Sequence, residues 1–162
     1  MSVEAATPER SPWRWPAAAI AVTIVAAHLP ITPAHLNEAP YIGLSFVGLE
    51  IALTVLAVAL MAGGDTRSVW RATLLLPALA IIGYLVTRSA ALPEIADDQG
   101  NWTEPLSYVA LAAEALLVVV AAAHSRTSWT RSRLVAHPRV LGALLLAVGL
   151  ALTGWAAVTS AA

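Results

Sequence analysis

The sequence contains no cysteine and no lysine, and charged residues of any kind fill only 12% of its 162 positions. Without cysteine there is neither a disulfide framework nor a thiolate metal site. Without lysine, Schiff-base chemistry is excluded, a retinal-type pigment included. The shortage of charge excludes more. A soluble domain carries about 25% charged residues, whereas this chain is 59% hydrophobic with a mean hydropathy of +0.74. It cannot cover its surface with polar groups in water, so a lipid bilayer is its natural surrounding. The sequence also lacks a P-loop, a glycine-rich nucleotide signature and a G-x-S-x-G elbow. Neither a nucleotide cofactor nor a nucleic-acid partner is expected, and the chain reads as a binding protein rather than an enzyme.

What is present is five apolar segments of membrane-spanning length: Pro16–Thr32, Tyr41–Ala62, Val69–Leu92, Pro105–Ala123 and Val140–Thr159. Each is close to the ~20 residues that cross a bilayer as a helix. The expected fold is therefore all-α, an integral membrane bundle of five transmembrane helices in one domain. Residues 1–15 form a cytoplasmic N-terminal segment, 16–62 a first helical hairpin, 69–123 a second hairpin, and 140–159 a fifth helix. Eight of the nine Arg residues fall before the first segment or in the stretches 63–71 and 124–139. That end should face the cytoplasm of a bacterial plasma membrane, with the C-terminus outside. Trp13, Trp15, Trp70, Trp102 and Trp129 fall at segment ends, where indoles suit the headgroup level.

Two stretches match in their punctuation. "NEAPYIGLSFVGLE" ends at Glu50 and "NWTEPLSYVALAAE" at Glu114, and each begins with Asn, Glu and Pro in that order. Each belongs to a loop that opens on Leu-Pro. The pattern suggests one hairpin used twice in parallel orientation, with a fifth helix appended. Glu50 lies ten positions beyond Pro40 and Glu114 nine beyond Pro105. At 1.5 Å per residue both sit roughly 14–15 Å in, near the middle of a ~30 Å core. An ionised carboxylate facing lipid there costs several kcal/mol, so both should turn inward, facing each other, and hold a proton or a cation. Thr54, one turn from Glu50, and Tyr84 on the third segment are candidate partners. Arg88, near that segment's outer end, either snorkels to the headgroups or turns inward to neutralise Glu50, Glu114 or the acidic loop.

The two outer loops hold His28, His35, Glu38, Glu94, Asp97, Asp98 and Glu104 and no Arg between them. Imidazole and carboxylate together suit a divalent transition metal, Zn²⁺, Cu²⁺, Mn²⁺ or Fe²⁺. The candidate ligands are His28, His35, Glu38, Asp97, Asp98 and Glu104. The plain alternative is a solvated turn in "ADDQGN", with His28 a satisfied helix-end residue. Haem is not expected: His124 and His137 lie among Arg residues at the other end, where anionic headgroups explain them.

The stretches "AHLPITPAHLNEAPYIGLSF" and "RSAALPEIADDQGNWTEPLSYVALAAE" resemble a group of small multi-pass membrane proteins of high-GC Gram-positive, actinobacterial type. The resemblance covers residues 27–46 and 88–114 and implies topology and source, not chemistry. The residues support two functional expectations. One is a membrane protein that binds a divalent cation outside, with Glu50, Glu114, Arg88 and Tyr84 handling a proton or cation beneath, for sensing, storage or transport. The other is a non-catalytic subunit or assembly factor, a homo-oligomer or a partner of another membrane subunit, docking through the small-residue face of Gly142 and Gly149. A pocket for a small lipid or isoprenoid is a third possibility.

Overall fold

The computed structural model describes residues 10–125 and 137–160. Arg126, Trp129, Arg131 and Arg133, which support the expected orientation, lie outside the described residues. The described residues form six α-helices: α1 Arg14–His28, α2 Thr32–Glu38, α3 Pro40–Met61, α4 Arg67–Ser89, α5 Pro105–Ser125 and α6 Pro138–Ser160. A short 3₁₀ turn, Ala96–Asp98, interrupts the α4–α5 connection. There is no strand among the described residues, only an isolated bridge between Leu92 and Ile95.

Proline sets the helix starts. Pro40, Pro105 and Pro138 are each the first residue of their helix, where a missing N–H costs no hydrogen bond and φ is already helical. Helix α4 begins instead on a hydroxyl cap, Thr66 Oγ1 accepting from the Val69 N–H at 3.3 Å. The first expected segment is broken. Pro30 and Pro33 interrupt it after His28, so α1 and α2 meet at a 49° bend. Helices α3, α4, α5 and α6 are each long and apolar enough to cross a membrane, and the bent pair α1–α2 makes up to a fifth.

Helix α1 is the centre of the bundle and packs against α3, α5 and α6. Its Ala17, Ala21, Ile24 and Ala27 are fully buried, and their spacing keeps them on neighbouring turns of one side. Helix α6 comes close because it offers glycine. A Cβ on Gly142 would lie 3.0 Å from the Trp15 carbonyl oxygen, and one on Gly149 would strike the Thr23 side chain. The Gly142/Gly149 face is thus already filled by α1 of the same chain. It is not a free surface for another subunit. Outward stripes are apolar: Leu44, Ile51, Val55 and Val58 on α3, and Leu75, Leu79, Ile82 and Val86 on α4, are all exposed. Faces of that size are rare on soluble monomers and suit contact with lipid.

The end carrying the α3–α4 connection is closed by a compact polar cluster. Asp65 accepts from the Ser11 N–H at 2.6 Å and from the Trp70 indole N–H at 2.5 Å. The His124 ring stacks on Trp70 with centroids 3.7 Å apart. Its Nδ1 lies 3.1 Å from Ser11 Oγ and its Nε2 3.8 Å from Asp65. Trp70 is therefore a buried packing residue, 6% exposed, and not the headgroup anchor its position suggests. Its indole N–H finds a carboxylate inside the protein, which removes its reason to reach the interface.

Candidate functional site

At the opposite end, which carries the loops 29–39 and 90–104, α3 and α4 enclose a cavity of about 470 Å³ with α5 as its floor. Its walls are mostly apolar, with Ile42, Phe46, Leu49, Leu76 and Leu111 among them, and its polar groups include His28, His35, Tyr84, Arg88, Asp98, Glu104 and Glu114 beside the hydroxyls of Ser45, Thr87 and Ser107. The site exists because α1 ends here. His28 is the last residue of that helix, and the bend at Pro30 turns α2 back over α3. Gly43 permits that return, since a Cβ there would lie 2.5 Å from the Leu36 backbone nitrogen.

Both mid-helix carboxylates, Glu50 on α3 and Glu114 on α5, converge on this α1–α2 junction. Glu114, 2% exposed, places Oε1 3.7 Å from His28 Nε2. Glu50, half-buried, lies 2.6 Å from Thr32 Oγ1, which is also 3.1 Å from the His28 carbonyl oxygen. Glu114 is thus tied to α1 and Glu50 to α2, where the sequence suggested that the two would face each other. The reason is geometric: α1 lies between α3 and α5 and touches both. Thr54 Oγ1 donates to the backbone oxygen of Glu50 and not to its carboxyl group. Tyr84 sits under the Arg88 guanidinium at 5.2 Å and edge-on to Trp102 at 6.0 Å.

The hydrogen positions are fixed by which groups can donate. His28 Nδ1 lies 2.9 Å from the Ile24 carbonyl oxygen, an atom that only accepts, so Nδ1 carries a hydrogen. In the neutral ring Nε2 then presents a lone pair toward Glu114. At 3.7 Å the two are within ion-pair range but beyond a direct hydrogen bond. Thr32 has one hydroxyl hydrogen for two oxygens, and the carbonyl cannot donate. That hydrogen goes to Glu50 Oε1, while the His28 carbonyl already accepts from the Ile31 N–H at 3.0 Å. The His28–Glu114 pair lines the cavity.

Arg88 turns inward, 5% exposed. It pairs with Asp98 at 2.6 Å and Glu104 at 3.0 Å, and Glu104 also accepts from Ser107 Oγ at 2.8 Å. Its charge thus serves the acidic loop. The six candidate metal ligands fall into separate places. His28 meets Glu114; Asp98 and Glu104 are held by Arg88; Glu38 and Asp97 are exposed. His35 bonds the Ile31 carbonyl and leans on Phe46 at 5.0 Å, beside His28 at 5.1 Å from the same ring. Among the described residues, no three His, Asp or Glu side chains are grouped as metal ligands. Thr32 and Phe46 are site residues that the sequence did not mark, and only the fold-back of α2 brings them in. No protein-family model, curated protein or solved structure matches this chain.

Proposed function

We propose that this is an integral membrane protein whose outer half binds a proton or a cation at Glu114, with His28 as the proton partner. The supporting observation is the His28 geometry: Nδ1 is committed to a backbone carbonyl, so Nε2 faces a buried carboxylate on the wall of a cavity. A carboxylate at mid-helix depth, lining a cavity and not lipid, is the arrangement expected of an intramembrane proton or ion site. In this reading the N-terminus is cytoplasmic, by the rule for Arg-rich loops and termini, and the cavity belongs to the outer leaflet. A divalent transition ion would bind His28 Nε2 and Glu114, with His35 as the nearest further imidazole. Asp98 and Glu104 are less available because Arg88 already neutralises them.

The test is infrared spectroscopy of the protein in lipid nanodiscs during a pH titration. We expect a protonated-carboxyl C=O band that titrates, shifts in D₂O and disappears in Glu114→Gln but not in Glu94→Gln. If no part of the carboxyl signal depends on Glu114 at any pH where the fold is intact, the reading fails. Elemental analysis of the same samples, with a His28→Ala/His35→Ala variant alongside, decides whether the cation is a transition metal.

A further inference from the structure

We infer that the outer cavity is a binding site for a lipophilic monocation, charge spread over an apolar or aromatic body, which enters sideways from the membrane between α3 and α4 and takes the place of a proton at Glu114. The inference rests on the reading that Glu114 carries an exchangeable proton.

Size and lining come first. A cavity of about 470 Å³ lies within the range of roughly 300–1,000 Å³ typical of small-molecule pockets, and mostly apolar walls with a few polar groups are the usual lining. Charge selects among ligands. The titratable and charged groups around Glu114 are His28 on α1, His35 on α2, Glu50 on α3, Tyr84 and Arg88 on α4, and Asp98 and Glu104 in the α4–α5 connection. The one permanent cation among these groups, Arg88, is already shared by two carboxylates. An anionic ligand would add charge of the sign in excess. A neutral ligand would leave the Glu114 proton where it is. A small hydrated monocation with no affinity for imidazole would lose its water among leucines and gain little in return. A delocalised cation on an apolar body loses little hydration, fills the walls, pairs with the Glu114 carboxylate and meets the rings of Phe46 and Tyr84.

The entry route is built from glycine. Gly48 on α3 and Gly83 on α4 both line the cavity and are both exposed, and a Cβ on either would meet no atom within 4 Å. They face open space between two helices that are joined at the far end by the connection Ala62–Thr66. Both lie in the apolar depth of their helices, so the opening is toward lipid, where an amphiphilic cation concentrates. The exchange balances without a further reactant: the cation pairs with the carboxylate and one proton leaves to water.

The experiment measures tetraphenylphosphonium binding to the full-length protein in nanodiscs by calorimetry, with proton release tracked in weak buffer. We expect saturable binding that tightens as pH rises, approaching about tenfold per pH unit, and release of about one proton per cation bound. Glu114→Gln should weaken binding at least about tenfold, the size of an ion pair lost from an apolar site, while Glu94→Gln binds like the parent. Gly83→Leu should slow association. The inference is overturned if tetraphenylphosphonium does not bind, if it binds with no proton released, or if neutral triphenylphosphine oxide binds equally well. Proton release from the parent decides the matter even if Glu114→Gln fails to fold. Absence of binding alongside a titrating Glu114 band sinks this inference and leaves the proton site standing; loss of both signals removes both.

Discussion

Two histidine–carboxylate pairs stand at opposite ends of this molecule, at nearly the same separation: His28–Glu114 at 3.7 Å and His124–Asp65 at 3.8 Å. What surrounds them differs. Around Asp65 both oxygens accept short hydrogen bonds, His124 has a partner near each nitrogen, and its ring is covered by Trp70. Every polar atom there is used, as in a structural lock. Around Glu114 the His28 ring is used on one side only, and the other side opens on a cavity. The distance within a pair therefore says little about its role. What separates a lock from a site is whether the pair has capacity left for a third group.

The largest expected effect tests that distinction by stability. Asp65→Ala leaves the Trp70 indole N–H and the Ser11 backbone N–H without their acceptor in a buried place. Each such loss costs about 1–3 kcal/mol, so a total of about 2–6 kcal/mol is expected, measured as a lowered unfolding midpoint by tryptophan fluorescence in detergent. Glu114→Gln keeps the shape and a polar group beside His28 Nε2, removes no direct hydrogen bond, and should change stability by less than about 1 kcal/mol. If the two variants fall equally, Glu114 is a lock too and the comparison collapses.

How much of this was legible in the sequence depends on how local each feature is. Helix starts at Pro40 and Pro105 were readable because a proline's effect is confined to its own turn, while the fifth helix begins at Pro138, two residues before the expected Val140. The mid-helix depth of Glu50 and Glu114 needed only a count of residues. The pairing of Arg88 with the acidic loop was one of two open alternatives, and its partners lie only 10 and 16 residues away. The rest is set by how helices rotate and cross. In segments apolar nearly all round, periodicity does not say which face turns inward, so nothing marked His28 as the partner of Glu114 or Thr32 as that of Glu50. Ser11 and His124, 113 positions apart, were beyond reach for the same reason. The matched loops also proved to be built differently, a helix α2 in one and a 3₁₀ turn in the other. Proline and glutamate at matched positions mark where a helix starts, and they leave the path of the loop before it open.

Arg88 offers a smaller effect that sharpens the comparison within the cavity end itself. Its guanidinium is bound to Asp98 and Glu104 and so belongs with the lock, not with the open pair. Arg88→Met leaves two carboxylates near each other, but both are partly wet, at 22% and 27% exposure. The cost is discounted accordingly to about 1–2 kcal/mol. The change should concentrate in residues 90–104, seen as faster hydrogen exchange there with α1, α3 and α5 unaffected. Faster exchange spread through α1 would mean instead that Arg88 supports the His28–Glu114 site.

The smallest expected effect has the opposite sign and bears on the open side. At Gly48 an added methyl meets empty space, and glycine inside a helix is destabilising relative to alanine by roughly 0.5–1 kcal/mol in water. In lipid the backbone hydrogen bonds are obligatory in either residue, so the gain should sit at or below the lower end of that range. Gly48→Ala is thus expected to raise the unfolding midpoint slightly and leave cavity binding in place, since a single methyl narrows the opening without closing it. A lowered midpoint would mean that α3 and α4 close on each other at this level. The cavity end would then be filled like the opposite one, and the His28–Glu114 pair would have no third group to receive.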